Sequence, residues 1–483
     1  MSDVRAIVLA AGQGKRMKST TPKVLHQVLG KPILQRVLGA ILQAFGGELS
    51  RVHVIVGHSA DVVRGFVEQL AASGSRDAAM PIETHLQEPQ LGTGHAVMQA
   101  QSGLAGFKGT VFVTVGDAPV IQARTLSALL DHHRASGAAI TALTANIANP
   151  HGYGRMVRDA HGAIKGIVEE KDATDEERKI TEVNTGIYCL EWPAMEAGLA
   201  SLSCDNKQKE YYLTDLISWA YDQKMQTESL VLDDYREVVG INSRIELAEA
   251  ARHLRDITNT RLSLESGVTI FDPQSTFIAP EVTIGQETVI MPGCTLQGDI
   301  TIGRDCVIGP NTIIKGKCSV GDGTSIISSF VNDSIIGQKA KIGPFAHLRE
   351  GNTVGDSAKV GNFVELKKAV LGTKASCGHL SYIGDATLGD HVNIGAGTIT
   401  ANYDHLTKQK SRTIIEDGAS TGSNSVLVAP VTVGAEAVVA AGTSVTDDVP
   451  KGALAVGRTR QKNLEGWSDK RRKAHLSSSG IPS

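Results

Sequence analysis

The sequence has no long hydrophobic run, and no stretch approaches the ~20 apolar residues that a membrane-spanning helix needs. Its first residues lack the regions of a signal peptide. Membrane insertion is not expected, and the expected location is the cytoplasm. An excess of one charge is missing too: 48 Lys and Arg against 51 Asp and Glu leave a net charge of −3, which implies no nucleic-acid partner. Cysteine is scarce, with six among 483 residues and no Cys-x-x-Cys pair, which disfavours a zinc site or a disulfide framework. A chain of this length exceeds a single core, so two or three domains are expected.

What the sequence has in plenty is a period. Ile284, Ile290, Leu296, Ile302, Ile308, Ile314, Val320 and Ile326 follow one another at every sixth position. The register shifts and resumes from Ile336 to Leu366, at Ile383, Leu388 and Ile394, and from Leu427 to Val445. Six residues of α-helix would leave successive hits about 240° apart, so no helix face can use this pattern. Residues six apart on strands share a face, and the Gly that recurs after the aliphatic position suits a turn. Hexads mark a parallel β-helix, on the order of ten coils from about Val268 to Val456. Cys294, Cys306 and Cys318 share one slot of the repeat with Thr288, Thr312 and Thr324, and read as small inward packers. The regularity fails around Phe345–Tyr403, where charged, imidazole and amide groups gather. A break of some two dozen residues before Val426, holding Lys408, Lys410 and Arg412, fits an extended loop.

The first half reads differently. Val4–Leu9 is a strand, Gly12-Gln13-Gly14-Lys15-Arg16 a turn, Ile33–Phe45 a helix and Val52–Val56 a strand, the start of an α/β fold with a largely parallel sheet. Gly12 and Gly14 let backbone amides approach a phosphate, with Lys15, Arg16 and Lys23 supplying charge. The pair is neither the dinucleotide fingerprint nor a P-loop. Val111–Val115 ends in Gly116-Asp117, which puts Asp117 at a carboxyl end, where α/β sheets hold ligands. From Ser243 onward, Ile245, Ala248, Ala251, Leu254 and Ile257 or Thr258 recur at helical spacing. Ser243 with Glu246 reads as a capping box opening a connecting helix.

Longer strings carry a resemblance. Leu9-Ala10-Ala11-Gly12-x-Gly14-x-Arg16-Met17, Pro22-Lys23, Gln87 before Gly92-Thr93-Gly94-His95-Ala96, Gly116-Asp117, Gly152-Tyr153-Gly154-Arg155, Glu169, Asn184-Thr185-Gly186 and Gly240-Ile241-Asn242 arrive in the order seen in sugar-nucleotide pyrophosphorylases. With Val360-Gly361-Asn362, Gly378-His379-Leu380-Ser381-Tyr382 and Ala401-Asn402-Tyr403 added, nearly the whole chain resembles the bacterial bifunctional N-acetylglucosamine-1-phosphate uridylyltransferase/glucosamine-1-phosphate N-acetyltransferase family.

That resemblance implies an α/β nucleotidyltransferase domain, Rossmann-like with a mostly parallel sheet, over residues 1–242. A linker helix over 243–264, a left-handed parallel β-helix over 265–458 and a tail over 459–483 follow. It implies a homotrimer with each acetyl-transfer site between neighbouring subunits. For UTP and UDP-N-acetylglucosamine it implies Leu9, Ala10, Ala11, Gly12, Lys23, Gln87, Gly92, Thr93, Val115, Gly116, Asp117, Gly154, Glu169, Asn184 and Asn242. Asp117 and Asn242 would hold Mg²⁺, an ion that takes oxygen ligands. Arg349, Lys367, Tyr382 and Asn393 would hold glucosamine 1-phosphate, and Ala396, Asn402, Tyr403, Ser423, Ala441 and Arg458 acetyl-CoA. Glu365 would orient a polar partner.

Chemistry explains these residue types. In-line attack of a sugar phosphate on UTP gathers negative charge that the protein must position and neutralise. Acetyl transfer to an amine needs a base near neutral pH, a task suited to histidine and assigned by the resemblance to His379. The amide of Ala396 is the implied oxyanion donor. Two departures stand out: Val115 replaces a frequent Tyr, and Ser420-Thr421 stands where an aromatic is common before Gly422-Ser423. Two alternatives remain open at this level. One is a single-activity pyrophosphorylase whose β-helix only oligomerises or binds a regulator, and the other is a non-enzymatic scaffold.

Overall fold

Seven strands form the spine of the first unit in the computed structural model, which describes residues 3–73 and 81–479. In chain order they and their partners are β1 (Val4–Leu9), α1 (Ile33–Phe45), β2 (Leu49–Val56), α2 (Ala60–Ala72), β3 (Ile82–Leu86), α3 (Thr93–Met98) and β4 (Thr110–Val115). The series continues with α4 (Ala123–Ser136), β5 (Ile140–Asn146), β6 (Arg155–Arg158), β7 (Ile164–Val168) and β8 (Glu182–Glu191). It ends with α5 (Trp192–Ser201), α6 (Asp215–Asp222), β9 (Thr227–Leu232) and α7 (Arg244–Glu265). The sheet order is β9-β5-β8-β4-β1-β2-β3, and the hairpin β6–β7 joins through β6 to β8. β1 runs parallel to both its neighbours, while β8 alone on the main path is antiparallel to both of its own.

β1 has almost no polar face because helices cover both sides of the sheet. Val4, Val8, Val37, Ile41, Val63 and Leu126 build the core on one side; Ile7, Val97, Val113, Met195 and Leu216 build it on the other. Asp117 follows the end of β4, and Ala10 and Gln87 follow the ends of β1 and β3, so these three predicted residues lie at the carboxyl edge of the sheet.

The chain divides into two compact units, residues 1–258 and 259–483, within α7. The first turn of α7 departs from the expected stripe. Ile245 is 72% exposed, and the buried side is Ala250, Leu254, Thr258 and Leu262. The first turn is pinned instead by hydrogen bonds. Ser243 Oγ accepts from Glu246 N at 3.3 Å, the first half of a capping box, but Glu246 Oε2 accepts from Asn242 N at 2.6 Å rather than from Ser243.

The second unit is a stack of short parallel strands. Eleven of them, from Thr269–Ile270 to Leu454–Ala455, form one continuous face, and the remaining strands wrap the other sides of each coil. In the regular part Thr295 pairs with Ile313, one 18-residue coil on. The hexad residues point inward, as do Cys294, Cys306, Cys318, Thr288, Thr312 and Thr324, all 4% exposed or less. All six cysteines are free thiols. Five-residue steps through buried Val331, Leu371 and Leu388 cause the register slips, so that Lys359 pairs with Ser376 seventeen residues on.

The break before Val426 is shorter than two dozen residues. Ala386 pairs with Thr413, twenty-seven residues on, so only about ten residues leave the coil, and Ile415 and Thr421 resume the inward slots. Threonine at 400 and 421 conceals this continuity in the sequence, since both are buried where an aliphatic residue is expected. The tail forms an exposed helix, α8 (Trp467–Ser479), with the Arg471 guanidinium 6.0 Å from the Trp467 ring. Residues 480–483 of the expected tail lie outside the described residues. Among the described residues no helix is long and apolar enough to cross a membrane.

Candidate active sites

A cleft of about 460 Å³ opens at the carboxyl edge of the first sheet. Leu9, Ala10, Ala11, Gly12, Lys23, Gln87, Gly92, Thr93, Val115 and Asp117 line it together with Gln13, Gln90 and Glu210. Larger hollows of about 730 and 890 Å³ lie at the β6–β7 turn and along α7, and contain none of the predicted residues. Backbone links fix the walls. Gly116 N donates to Leu9 O at 2.8 Å, tying β4 to β1, and Gln90 Nε2 donates to Ala11 O at 2.7 Å. Gln87 Nε2 donates to Gly92 O at 2.9 Å, and Thr93 Oγ1 accepts from Leu213 N at 3.1 Å. Gly14 stands at φ 60°, and a Cβ there would come within 2.7 Å of the Lys23 Cβ, so the turn needs glycine twice over.

The charged centre is Lys23. Its ammonium donates to Asp117 Oδ2 and, at 3.2 Å, to Asn242 Oδ1. The Lys23 and Asp117 side chains are 10% and 19% exposed, so the pair is largely withdrawn from water. Ile241 N donates to Asp117 O at 3.0 Å, which brings the segment that follows the short helical turn Tyr235–Val238 beside the end of β4. One carboxylate oxygen and one amide oxygen thus converge on a single cation, a donor set that fits Mg²⁺, with the ammonium as its stand-in. Neither sequence position nor periodicity signals that lysine occupies this place.

Gly154, Glu169 and Asn184 form a neighbouring cluster around β8. Asn184 N donates to Gly154 O at 2.9 Å, and a Cβ on Gly154 would lie 3.4 Å from Glu169 Oε1. Tyr188, absent from the sequence expectations, donates its hydroxyl to Asn184 Oδ1 at 2.8 Å and orients that amide. Burial holds the Glu169 carboxyl above its usual range, opposed by a 3.3 Å hydrogen bond from Thr214 Oγ1. A Cβ on Gly186 would lie 3.2 Å from Val115 Cγ1, which places this cluster against the cleft wall.

On the β-helix the predicted residues fall into columns. His379 occupies a coil corner, and Asn362 occupies the same corner one coil earlier. The His379 Nδ1 and Asn362 Oδ1 atoms are 2.6 Å apart. An amide oxygen can only accept, so Nδ1 carries a proton, and in the neutral ring this leaves the lone pair on Nε2, which is exposed. The sequence motifs assign Asn362 no role, and the 17-residue coil spacing is the signal that pairs it with His379.

Ala396, Ser423 and Ala441 continue the same corner. Gly397 N donates to His379 O at 3.4 Å, Asn424 N to Ala396 O at 2.7 Å and Gly442 N to Ser423 O at 2.8 Å. Among the described residues the N–H groups of Ala396, Ser423 and Ala441 have no acceptor, leaving three donors in a row above the histidine. Arg458 closes the column, its Cδ within 3.9 Å of a Cβ on Gly442.

Arg349, Lys367 and Tyr382 face outward on the side that follows this corner. Tyr382 pairs with Glu365, and Lys367 with Gly384 at the far end. Glu365 accepts from Arg349 Nη1 at 3.2 Å, and Glu350 lies 3.7 Å from Lys367 Nζ. Asn393 lies on the strand before the corner, between Ser376 and Ser420. Asn402 and Tyr403 are not brought to the Ala396 column. Asn402 Nδ2 donates to Asp385 Oδ2, one side further round the coil, and Tyr403 is 55% exposed at the base of the loop.

Comparison with known proteins follows the same division. A nucleotidyl transferase family matches residues 5–259, a GMPPB C-terminal domain 278–360 and a hexapeptide repeat of succinyl-transferase 412–447. A protein of Trichlorobacter lovleyi called bifunctional protein GlmU is 45% identical over 97% of this chain and 98% of its own. The chain belongs to the bifunctional GlmU family. GlmU proteins of Pelobacter propionicus and Geobacillus thermodenitrificans are 46% and 47% identical, each over 97% of this chain and 98% of their own. Like other GlmU chains, this one joins a nucleotidyltransferase unit to a hexapeptide-repeat left-handed β-helix.

Proposed function

We propose that this chain catalyses two consecutive group transfers, one on each unit. The β-helix moves an acetyl group from acetyl-CoA to the amine of glucosamine 1-phosphate. The α/β unit then joins the N-acetylated product to UTP, giving UDP-N-acetylglucosamine and pyrophosphate. The observation that carries this reading is that each unit has its own built site: Lys23 held between Asp117 and Asn242, and His379 held by Asn362.

In acetyl transfer, His379 Nε2 takes a proton from the attacking amine, and Asn362 holds the tautomer that can do so. Nitrogen forms its bond to the thioester carbonyl carbon, and the carbon–sulfur bond then breaks to release the coenzyme thiol. The Ala396 N–H faces the carbonyl oxygen as it gains charge. Arg349 and Lys367 hold the phosphate, and Tyr382 and Asn393 the sugar.

In uridylyl transfer, the sugar phosphate oxygen attacks the α-phosphorus of UTP as pyrophosphate leaves. Asp117 and Asn242 would hold Mg²⁺, which when bound would neutralise charge at the phosphates. Lys23 turns from Asp117 to the phosphates; the Gly12–Gly14 amides line the triphosphate, and Gln87, Gly92 and Thr93 receive the base. Gly154, Glu169 and Asn184 read the N-acetyl sugar. The β-helix thus serves catalysis rather than oligomerisation alone.

We further propose a homotrimer in the cytoplasm, where UTP and acetyl-CoA are made. Asn402 and Tyr403 lie a side away from the His379 corner of their own chain, which supports a role in the site of an adjoining copy. One assay tests the scheme. Glucosamine 1-phosphate, acetyl-CoA, UTP and Mg²⁺ are supplied together, and thiol and pyrophosphate are followed separately. Both signals are expected, with thiol leading. Pyrophosphate from N-acetylglucosamine 1-phosphate, but no thiol from glucosamine 1-phosphate, would leave only the single-activity reading.

A further inference from the structure

His53 departs from its surroundings. It lies mid-strand in β2, between Val52 and Val54, with no exposed surface. The chain buries an imidazole there whose Nδ1 faces His85 and whose Nε2 has no hydrogen-bond partner among the described residues. The neighbouring edge strand β3 carries Glu83 and His85, two residues apart and therefore on one face. His53 is the register partner of Glu83, so all three side chains emerge on the same side of the sheet.

We infer that His53, Glu83 and His85 form a binding site for a divalent transition-metal ion of the zinc class, separate from the oxygen site at Asp117. One donor atom from each residue lies within 4.8 Å of the others. His53 Nδ1 is 2.9 Å from His85 Nε2 and 3.8 Å from Glu83 Oε2. Two imidazole nitrogens on a tetrahedral ion, with bonds of about 2.1 Å, stand about 3.4 Å apart, which a small ring rotation supplies. Burial, with His85 adding to it, pushes His53 down to about 4, so its ring is in the neutral form that ligates metals.

A Cβ on Gly103 would come within 2.7 Å of His53 Cε1 and 3.3 Å of His85 Cε1, so the Gly103 backbone packs closely on both rings and only glycine fits there. The partly exposed Glu83 and His85 leave the outer side to water, the three-ligand pattern with one open position. Arg51 holds Glu83 at 3.0 Å in an exposed pair, which opens at small cost when the carboxylate turns to an ion. Imidazole nitrogens suit zinc, cobalt or nickel and not Mg²⁺, so this site cannot substitute for the one that uridylyl transfer needs.

Its effect is structural. β3 ends at Leu86, and the next residue, Gln87, donates its backbone N–H to Val56 O at 2.8 Å while its side chain shapes the base-binding loop. An ion shared by β2 and β3 would staple the edge strand that positions Gln87. The inference does not depend on the proposed reaction.

The test is Co²⁺ titration of the chelator-stripped, full-length protein, followed by visible d–d absorption. One equivalent per chain is expected, displaced by Zn²⁺ and untouched by excess Mg²⁺. Zn²⁺ should raise the unfolding midpoint of the first unit and slow amide exchange in β3. His85→Ala should lose the equivalent and the midpoint shift while keeping its far-ultraviolet spectrum. Glu83→Gln, at the exposed position, should weaken binding about tenfold, and Asp117→Ala should leave it intact. Absence of saturable Co²⁺ binding, or the same binding in His85→Ala, overturns the inference.

Discussion

In the α/β unit, the partners Lys23, Asp117 and Asn242 are as much as 219 residues apart in sequence, and the ion pair at their centre is at most 19% exposed. In the β-helix, Asn362 and His379 are 17 residues apart, one coil, and the histidine stands in solvent. The first site is assembled by a strand end and by turns and loops from both ends of the unit, and holds its charges ready in a low-dielectric cleft. The second is a row of equivalent corners, each set by the coil beneath it. A solenoid can build a column of functional groups by substitution at one repeat position, but it offers only one wall. Exclusion of water must then come from the substrates or from another copy.

The largest effects should separate the two sites. His379→Ala should lower thiol release from acetyl-CoA and glucosamine 1-phosphate by about 10²- to 10⁴-fold and leave pyrophosphate formation from N-acetylglucosamine 1-phosphate unchanged. Asp117→Ala should do the reverse. Loss of both signals in either variant would break the comparison.

Next in size is a structural contrast. A Cβ on Gly361 would overlap the Gly378 carbonyl of the next coil, so Gly361→Ala should destabilise the β-helix by about 1–3 kcal/mol. Two-phase thermal unfolding should show the acetyltransferase signal lost early and nucleotidyl transfer spared. Equal loss of the two would mean that the units do not unfold separately.

Asn362→Ala removes the acceptor for His379 Nδ1–H, a loss of about 1–1.5 kcal/mol, so kcat for acetyl transfer should fall about tenfold with KM little changed. Asn362→Asp keeps an acceptor and should retain most of the rate. A fall in both variants alike would assign Asn362 a packing role only.

The smallest effect concerns Glu169. Burial raises its carboxyl in the folded state, so the folded protein holds a proton that the unfolded chain releases, between the usual carboxylate value of 4.5 and the raised one. Stability therefore falls as pH rises through that window. Glu169→Gln removes the penalty and should raise the unfolding midpoint of the first unit at pH 7 but not at pH 4, while weakening the sugar step. A shift of equal size at both pH values would sink this account.

Local order is legible in the amino-acid sequence alone. The six-residue period determines the coil, the inward face and even the places of Cys294, Cys306 and Cys318, because in a solenoid each residue's neighbours are set by near-constant sequence spacing. Ten of the residues singled out by the ordered strings from Leu9 to Asn242 line the cleft, since turns and strand ends are written in short motifs. Threonines at 400 and 421 conceal the continuity of the coil because a buried hydroxyl can replace an aliphatic side chain where a backbone oxygen accepts its proton, as Gly384 O does at 3.0 Å for Thr400. The buried stripe of α7 shifts from Ile245 to Ala250 because capping bonds, not burial, hold its first turn.

Only the tertiary structure decided that Lys23 fills the place between Asp117 and Asn242, that Asn362 orients His379, and that Asn402 turns away from the Ala396 column. It also decided that His53, Glu83 and His85 share a face. Sequence period fixes which residues repeat, but contacts across a sheet or between coils depend on strand order and register. Those come from packing the whole chain at once.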